Sequence, residues 1–341
     1  MRLVRLAVVN VNSTVGALRA NTDRAVALAR EAAAQGATVA ALPEQVISGY
    51  SPEDLVQWRA FVEGQWDQLL RFAAETKSLA TAFVLGVTVA RGSNLYNCAA
   101  LVLRGRVVGL VPKEKLPAYN VFYEARTFAR GAAGMQGDVR GVPFGDLVFE
   151  LDFGTVALEV CEDIWSPDGP MRRRAYAGAE LVVNVSASPF RLGFEATRRE
   201  MIATRAADGQ VTVLYANLVG ANDGLLFDGG GLVAQNGRLL LAAPRFCEGV
   251  ASVTVDLDRT RRLRTENTTF RLDQEAYVAS SPAPRVVGVA ERTADRRDLV
   301  YPVPAHGSFF LPPPEHPQDA RQAFCEELLD ALALGVGDYF E

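Results

Sequence analysis

Residues 3–44 read LVRLAVVNVNSTVGALRANTDRAVALAREAAAQGATVAALPE, and this stretch decides the fold class. LVRLAVV (3–9) is an almost unbroken apolar run, the pattern of a buried strand. Over residues 17–35 the period changes. Leu18, Ala25, Leu28, Ala29 and Ala32 share one helical face, and Gly36 stops the helix. ATVAAL (37–42) is a second buried run, ending in Pro43-Glu44. Strand, helix and strand in succession predict an α/β protein with parallel pairing in its sheet.

The pattern continues outward. Residues 61–77 read as an amphipathic helix anchored by Phe61, Trp66, Leu69, Leu70 and Phe72. AFVLGVTVA (82–90), YNCAALVLR (96–104) and RVVGLVP (106–112) are strands, with Gly105 turning the last two. TVALEV (155–160), LVVNVSA (181–187), TVLYANL (212–218) and ASVTVDL (251–257) are strands, residues 195–208 a helix, and VAQNGRLLL (233–241) a hairpin through Asn236-Gly237. The hairpins make the sheets mixed. From about residue 258 the pattern weakens. The expected organisation is a domain over 1–275, a Pro-rich arm over 276–317 and one amphipathic helix over 318–341, with Ala323, Phe324, Leu328, Leu329 and Leu332 on its apolar face.

Composition narrows the chemistry. The chain has 341 residues, 49% hydrophobic and 22% charged, with a net charge of -5. This is ordinary globular composition, and it argues against a nucleic-acid-binding surface. There are two histidines, His306 and His316, both in the Pro-rich stretch. A Ser-His-Asp triad, a Cys-His pair or a His-ligated zinc site is therefore not expected, and no metal or cofactor is implied. Only Lys77, Lys113 and Lys115 are lysines among 35 basic residues. The N-terminal apolar run is short and broken by Arg5, so it reads as a strand and not as a signal peptide. No run approaches the length of a membrane span. Four scattered cysteines (Cys98, Cys161, Cys247, Cys325) without CxxC spacing indicate free thiols and a cytoplasmic protein.

Three reactive side chains follow buried strands. Glu44 follows ATVAALP, Lys113 follows RVVGLVP and Cys161 follows TVALEV. Beyond strand ends is where α/β sheets gather chemistry. Alone, each would be an ordinary loop residue or an inert thiol; together they form a consistent set. The cysteine is a nucleophile as its thiolate. Without histidine the base must be a carboxylate, and burial raises a Glu toward neutrality so that it can accept the thiol proton. A nearby ammonium balances charge and stabilises a tetrahedral oxyanion.

At these residues the chain resembles the nitrilase (carbon–nitrogen hydrolase) superfamily, whose triad is Glu-Lys-Cys. The flanks ALPEQVISGYSPEDL (41–55), PKEKLPAYNVFYEARTF (112–128), LEVCEDIW (158–165), VNVSASPF (183–190) and LFDGGGLV (226–233) are similar to one branch, the glutaminase domain of glutamine-dependent NAD+ synthetases. The resemblance covers roughly residues 3–275. It implies an α-β-β-α four-layer sandwich that pairs into a homodimer or higher homo-oligomer. It implies Glu44 as base, Cys161 as nucleophile and, through K-x-x-L-P, Lys113 as the lysine, with Lys115 at most supporting. It places Glu124 beside the triad, Tyr119 and Ser188 at the glutamine, and Tyr50 near the pocket.

The chain departs from the branch at three places. Phe194 in SASPFRLGF stands where the branch carries a basic residue that pairs with the substrate carboxylate; Arg191 is a candidate replacement. GANDGLLFDG (220–229) departs at the position just before the LVFDG-like run, where the branch more often carries an acidic residue. No SGGxDS loop follows CEELLDALALGVGDYF (325–340), so no ATP-dependent synthesis is expected of this chain by itself. Three readings remain: a glutaminase subunit serving an NAD+ synthetase partner, an excised domain, or a free-standing amidase for another amide. A non-catalytic regulatory subunit is a weaker alternative.

Overall fold

The computed structural model describes residues 1–302 and 320–340. The two histidines lie outside the described residues, as do residues 303–317 of the expected Pro-rich arm. The strands are β1 (Leu3–Asn10), β2 (Val39–Ala41), β3 (Ala82–Arg91), β4 (Asn94–Leu103), β5 (Arg106–Pro112), β6 (Gln136–Val139), β7 (Val142–Gly145), β8 (Leu147–Leu151) and β9 (Gly154–Val160). They continue as β10 (Leu181–Ser186), β11 (Thr212–Asn217), β12 (Val219–Asn222), β13 (Leu225–Asp228), β14 (Leu232–Gln235), β15 (Arg238–Ala242), β16 (Gly249–Asp256) and β17 (Arg285–Gly288). The helices are α1 (Leu18–Ala34), α2 (Arg59–Glu75), α3 (Glu162–Trp165), α4 (Pro170–Tyr176), α5 (Phe194–Asp208), α6 (Leu257–Glu266), α7 (Thr268–Ser280) and α8 (Ala320–Phe340).

Two mixed sheets carry the chain. One runs β16-β1-β2-β3-β4-β5-β7-β6 and the other β15-β14-β11-β10-β9-β8-β17. The opening stretch behaves as its pattern demands. β1 and β2 pair in parallel, Leu6 opposite Val39, and α1 crosses between them. The helix buries Ala25, Val26, Ala29 and Ala32, and Gly36 at φ +75° provides the left-handed turn after it.

Alternation along each strand then builds four layers. One set of side chains, including Leu6, Val84, Leu101, Phe149, Leu158 and Val183, fills the space between the sheets. The opposite set of the first sheet, including Val9, Phe83 and Leu85, packs on α1 and α2 through Ala29, Leu69 and Phe72. The opposite set of the second sheet, including Ala157, Val182 and Val213, packs on α4 and α5 through Ala175 and Ile202. The order is helix, sheet, sheet, helix, the α-β-β-α sandwich expected.

The sequence pattern misjudged three places. The weak stretch after residue 258 holds α6 and α7. Inside the stretch expected as an arm, α7 runs to Ser280, and β17 pairs in parallel with β8, Arg285 opposite Leu147. The C-terminal helix exists, but its apolar face points outward. Phe324, Leu328, Leu329 and Leu332 are exposed, and Ala331 is the buried contact. Its polar residues dock it. Asn12 and the Ala221 N–H donate to Asp338, while Arg245 and the Gly193 N–H donate to Glu327. Among the described residues no helix is long and apolar enough to cross a membrane.

Candidate active site

Glu44 and Lys113 leave the first sheet just beyond β2 and β5, and Cys161 leaves the second just beyond β9. The two sheets meet at this end. The Glu44 N–H donates to the Ser186 carbonyl at the end of β10, and the Ala187 N–H donates back to Glu44 Oε2 at 2.8 Å. Gly86 lets the β2 end come close. A Cβ there would lie 2.1 Å from the Gln45 nitrogen and 2.5 Å from Glu44 Cα, so only glycine fits behind the glutamate.

The charged centre is fully enclosed. Lys113 Nζ donates to Glu44 Oε1 at 2.8 Å and to Glu124 Oε1 at 2.7 Å. Asn97 Nδ2 donates to Glu44 Oε1 at 2.7 Å. The Tyr50 hydroxyl donates to Glu124 Oε1 at 2.8 Å. Burial works against the Lys113 ammonium, but Glu124 and Glu44 outweigh it and hold the proton firmly. Burial and the Glu44 charge push Glu124 up to about 7, against the pull of Lys113. The same burial raises the Tyr50 hydroxyl.

Cys161 is nine-tenths or more buried and sits in the electrostatic field of Glu44, Lys113 and Glu124. Its backbone is unusual for a non-glycine residue, with φ 46° and ψ -102°. The thiol is pushed well above its ordinary range, by burial first and by Glu44 second, with Lys113 opposing. Burial and the Glu44 charge thus favour the thiol over the thiolate.

The other expected residues fall in two places. Tyr50 and Glu124 join the charged centre. Ser188 is buried just after β10, with its N–H and carbonyl both bonded to Asn217. Tyr119 stands apart on the rim, about half exposed, its hydroxyl donating to Glu162 Oε2 at 2.9 Å. Lys115 enters through its backbone N–H, which donates to Asp163. Phe194 lies on the same rim, stacked on Trp165 at 5.3 Å and 18° between planes. The Arg191 guanidinium carbon sits 4.0 Å from the centre of the Phe194 ring.

Two contributors escaped the sequence reading. Asn97 is a polar residue inside the apolar run YNCAALVLR, and that interruption was its only signal. Asp163 Oδ1 accepts the N–H groups of Glu114 and Lys115, and its Oδ2 accepts that of Val160. One carboxylate thereby ties the end of β5 to the end of β9.

Comparison with known proteins agrees with this architecture. The Carbon-nitrogen hydrolase family matches residues 5–265. The glutamine-dependent NAD(+) synthetase of Aquifex aeolicus is 34% identical over 266 residues, covering 77% of this chain and 44% of that protein. The Mycobacterium tuberculosis enzyme of the same name is 34% identical over 276 residues, covering 77% of this chain and 40% of that protein. This chain thus spans less than half the length of these relatives. Among solved structures, a glutamine-dependent NAD(+) synthetase from Cytophaga hutchinsonii matches with a TM-score of 0.67 and 28% identity, over 74% of this chain and 43% of that one. An amidase from Nesterenkonia sp. shares the fold, with a TM-score of 0.65 and 23% identity over 80% of this chain and 96% of that one. With the family pattern matched over most of its length, this chain belongs to the carbon–nitrogen hydrolase family.

Proposed function

We propose that the protein is a glutaminase that releases ammonia through a Cys161 thioester and supplies it to an NAD+ synthetase partner or domain. The observation that carries the reading is one buried ammonium, Lys113, shared between Glu44 and Glu124, with the buried Cys161 side chain in their electrostatic field. Glu44 takes the Cys161 proton as Sγ attacks the amide carbon. The Lys113 ammonium stabilises the oxyanion that forms. Glu44 passes its proton to the amide nitrogen, the C–N bond breaks and ammonia leaves. Water then attacks the thioester, giving a proton to Glu44. The C–S bond breaks, and the thiolate recovers the proton from Glu44. The net change is amide plus water to acid plus ammonia.

Support for glutamine comes from the rim as well as from the synthetase relatives. A carboxylate, Glu162, and a cation, Arg191, flank Tyr119 there, and both act electrostatically on its hydroxyl. Such a pair suits an amide carrying both an ammonium and a carboxylate. Arg191, braced on Phe194, supplies the positive charge that a phenyl ring cannot. Phe194 itself favours a second reading, an amidase for uncharged amides.

The test is steady-state ammonia release from glutamine and from a panel of uncharged amides. Wild type is expected to prefer glutamine, and Cys161→Ala to lose turnover. Arg191→Ala should raise KM for glutamine about tenfold and leave uncharged amides unaffected. Full turnover by Cys161→Ala would refute the nucleophile assignment. Preference for uncharged amides would establish the second reading.

A further inference from the structure

Asn97 lies within β4 and is fully buried. Alternation places it on the face of Ala99 and Leu101, toward the space between the sheets. Its Nδ2 donates to Glu44 Oε1 at 2.7 Å, and its backbone carbonyl accepts the Lys113 N–H at 2.8 Å. Among the described residues no protein group donates to its Oδ1. A buried amide with an idle acceptor costs stability, and a leucine of similar size would avoid that cost. Among the described residues, the side chain's one hydrogen bond goes to Glu44.

That bond does something the neighbouring donors do not. Lys113 also holds Glu44 Oε1, but the same ammonium is drawn toward Glu124. The Ala187 N–H holds the other oxygen. Asn97 is a neutral donor on Oε1, so it fixes that oxygen without adding charge to the site.

We propose that Asn97 is a positioning residue for the base: its amide sets the rotation of the Glu44 carboxylate, and so the direction from which that carboxylate takes the Cys161 proton. The proposal rests on the reading of Glu44 as base and Cys161 as nucleophile.

Asn97→Leu and Asn97→Asp test it, compared with wild type and Cys161→Ala. Three quantities are measured: ammonia release from glutamine, thermal unfolding, and the rate at which iodoacetamide alkylates Cys161, followed by peptide mass spectrometry. Both variants are expected to lose kcat by about 10²-fold with KM changed less than about twofold, the loss typical of a misplaced catalytic group. Cys161 alkylation should slow in parallel. The leucine variant should melt at or above the wild-type temperature. Either variant keeping kcat within about threefold of wild type would overturn the proposal. So would alkylation that is unchanged or faster, since loosened packing exposes the thiol. Failure of Asn97→Leu to fold would count against a purely positional role, and the size-matched aspartate variant would then decide. Wild type inactive on glutamine, with alkylation still slowed in both variants, would refute the glutaminase reading and leave the role of Asn97 standing.

Discussion

Lys113 and Glu114 are adjacent residues that belong to two different buried ion clusters. Lys113 is one ammonium serving two carboxylates, Glu44 and Glu124, and Glu124 Oε2 has no hydrogen-bond partner among the described residues. Glu114 joins Asp146 to meet two guanidiniums, Arg173 and Arg174, which each bond both acids. The second cluster is balanced. Burial pushes Asp146 upward, but Arg174 and Arg173 hold it below the ordinary carboxylate range. The first is short of positive charge, and its Glu124 is pushed up to about 7. The residue types fit this division. A guanidinium stays charged and grips carboxylates through a rigid fork, whereas an ammonium is a compact charge that several oxygens can share. The arginine cluster fastens residue 114; in the lysine cluster next to it the ammonium keeps its proton and the Glu124 carboxyl is brought to about 7. A balanced ion cluster and one short of positive charge are thus kept apart by one peptide bond.

This contrast can be broken by experiment. The largest effect is expected for Lys113→Met, which should cut ammonia release at least about 10³-fold, as for members of a catalytic unit. Retention of a tenth of wild-type activity would make the two clusters the same in kind. Next, Arg174→Met leaves buried acids short of a partner and should destabilise the fold by about 3–4 kcal/mol. Urea unfolding reads this, and an unchanged midpoint would remove the structural role assigned to the arginines.

A smaller effect concerns Glu159, a buried carboxyl in the field of the arginine cluster. Burial first and Asp163 second raise its carboxyl to about 8, opposed by Arg174. Between about pH 4.5 and 8 the folded chain holds a proton that the unfolded chain has released. The stability this group contributes is therefore complete at low pH and is lost as pH rises through that window. Unfolding free energies of wild type relative to Glu159→Gln should fall across it by up to about 1.4 kcal/mol per pH unit. A flat difference would show that Glu159 ionises normally. The smallest effect is expected for Lys115→Ala, with kcat/KM changed by less than about twofold. A loss matching Lys113→Met would mean the functional lysine had been misassigned.

The sequence disclosed most where local pattern and global structure agree. β1, α1 and β2 were legible because period and stop signals coincide there. Glu44, Lys113 and Cys161 were legible because each follows an apolar run, and the sandwich brings those three strand ends together. Less was legible where tertiary contacts decide. LDRTRRLRTE in α6 has no apolar stripe, so it is a helix by its docking and its Asp256 cap. β7 and β8 lie in VPFGDLVFEL, where Pro143 and Gly145 interrupt the pattern. α8 shows apolar residues at helical spacing, but two carboxylates hold it down and the apolar stripe faces out. Asn97 was not legible as a site residue because its partner Glu44 is distant in sequence.

The pairing of β17 with β8 has a practical consequence. The second sheet would otherwise end at β8, with a row of backbone donors and acceptors unmatched along Leu147–Glu150. A fragment cut at residue 275 would keep Glu44, Lys113 and Cys161 and uncover that row. Bare strand margins recruit other strands, so such a fragment is expected to stack margin to margin into insoluble material. A soluble expression fragment therefore has to extend past Gly288.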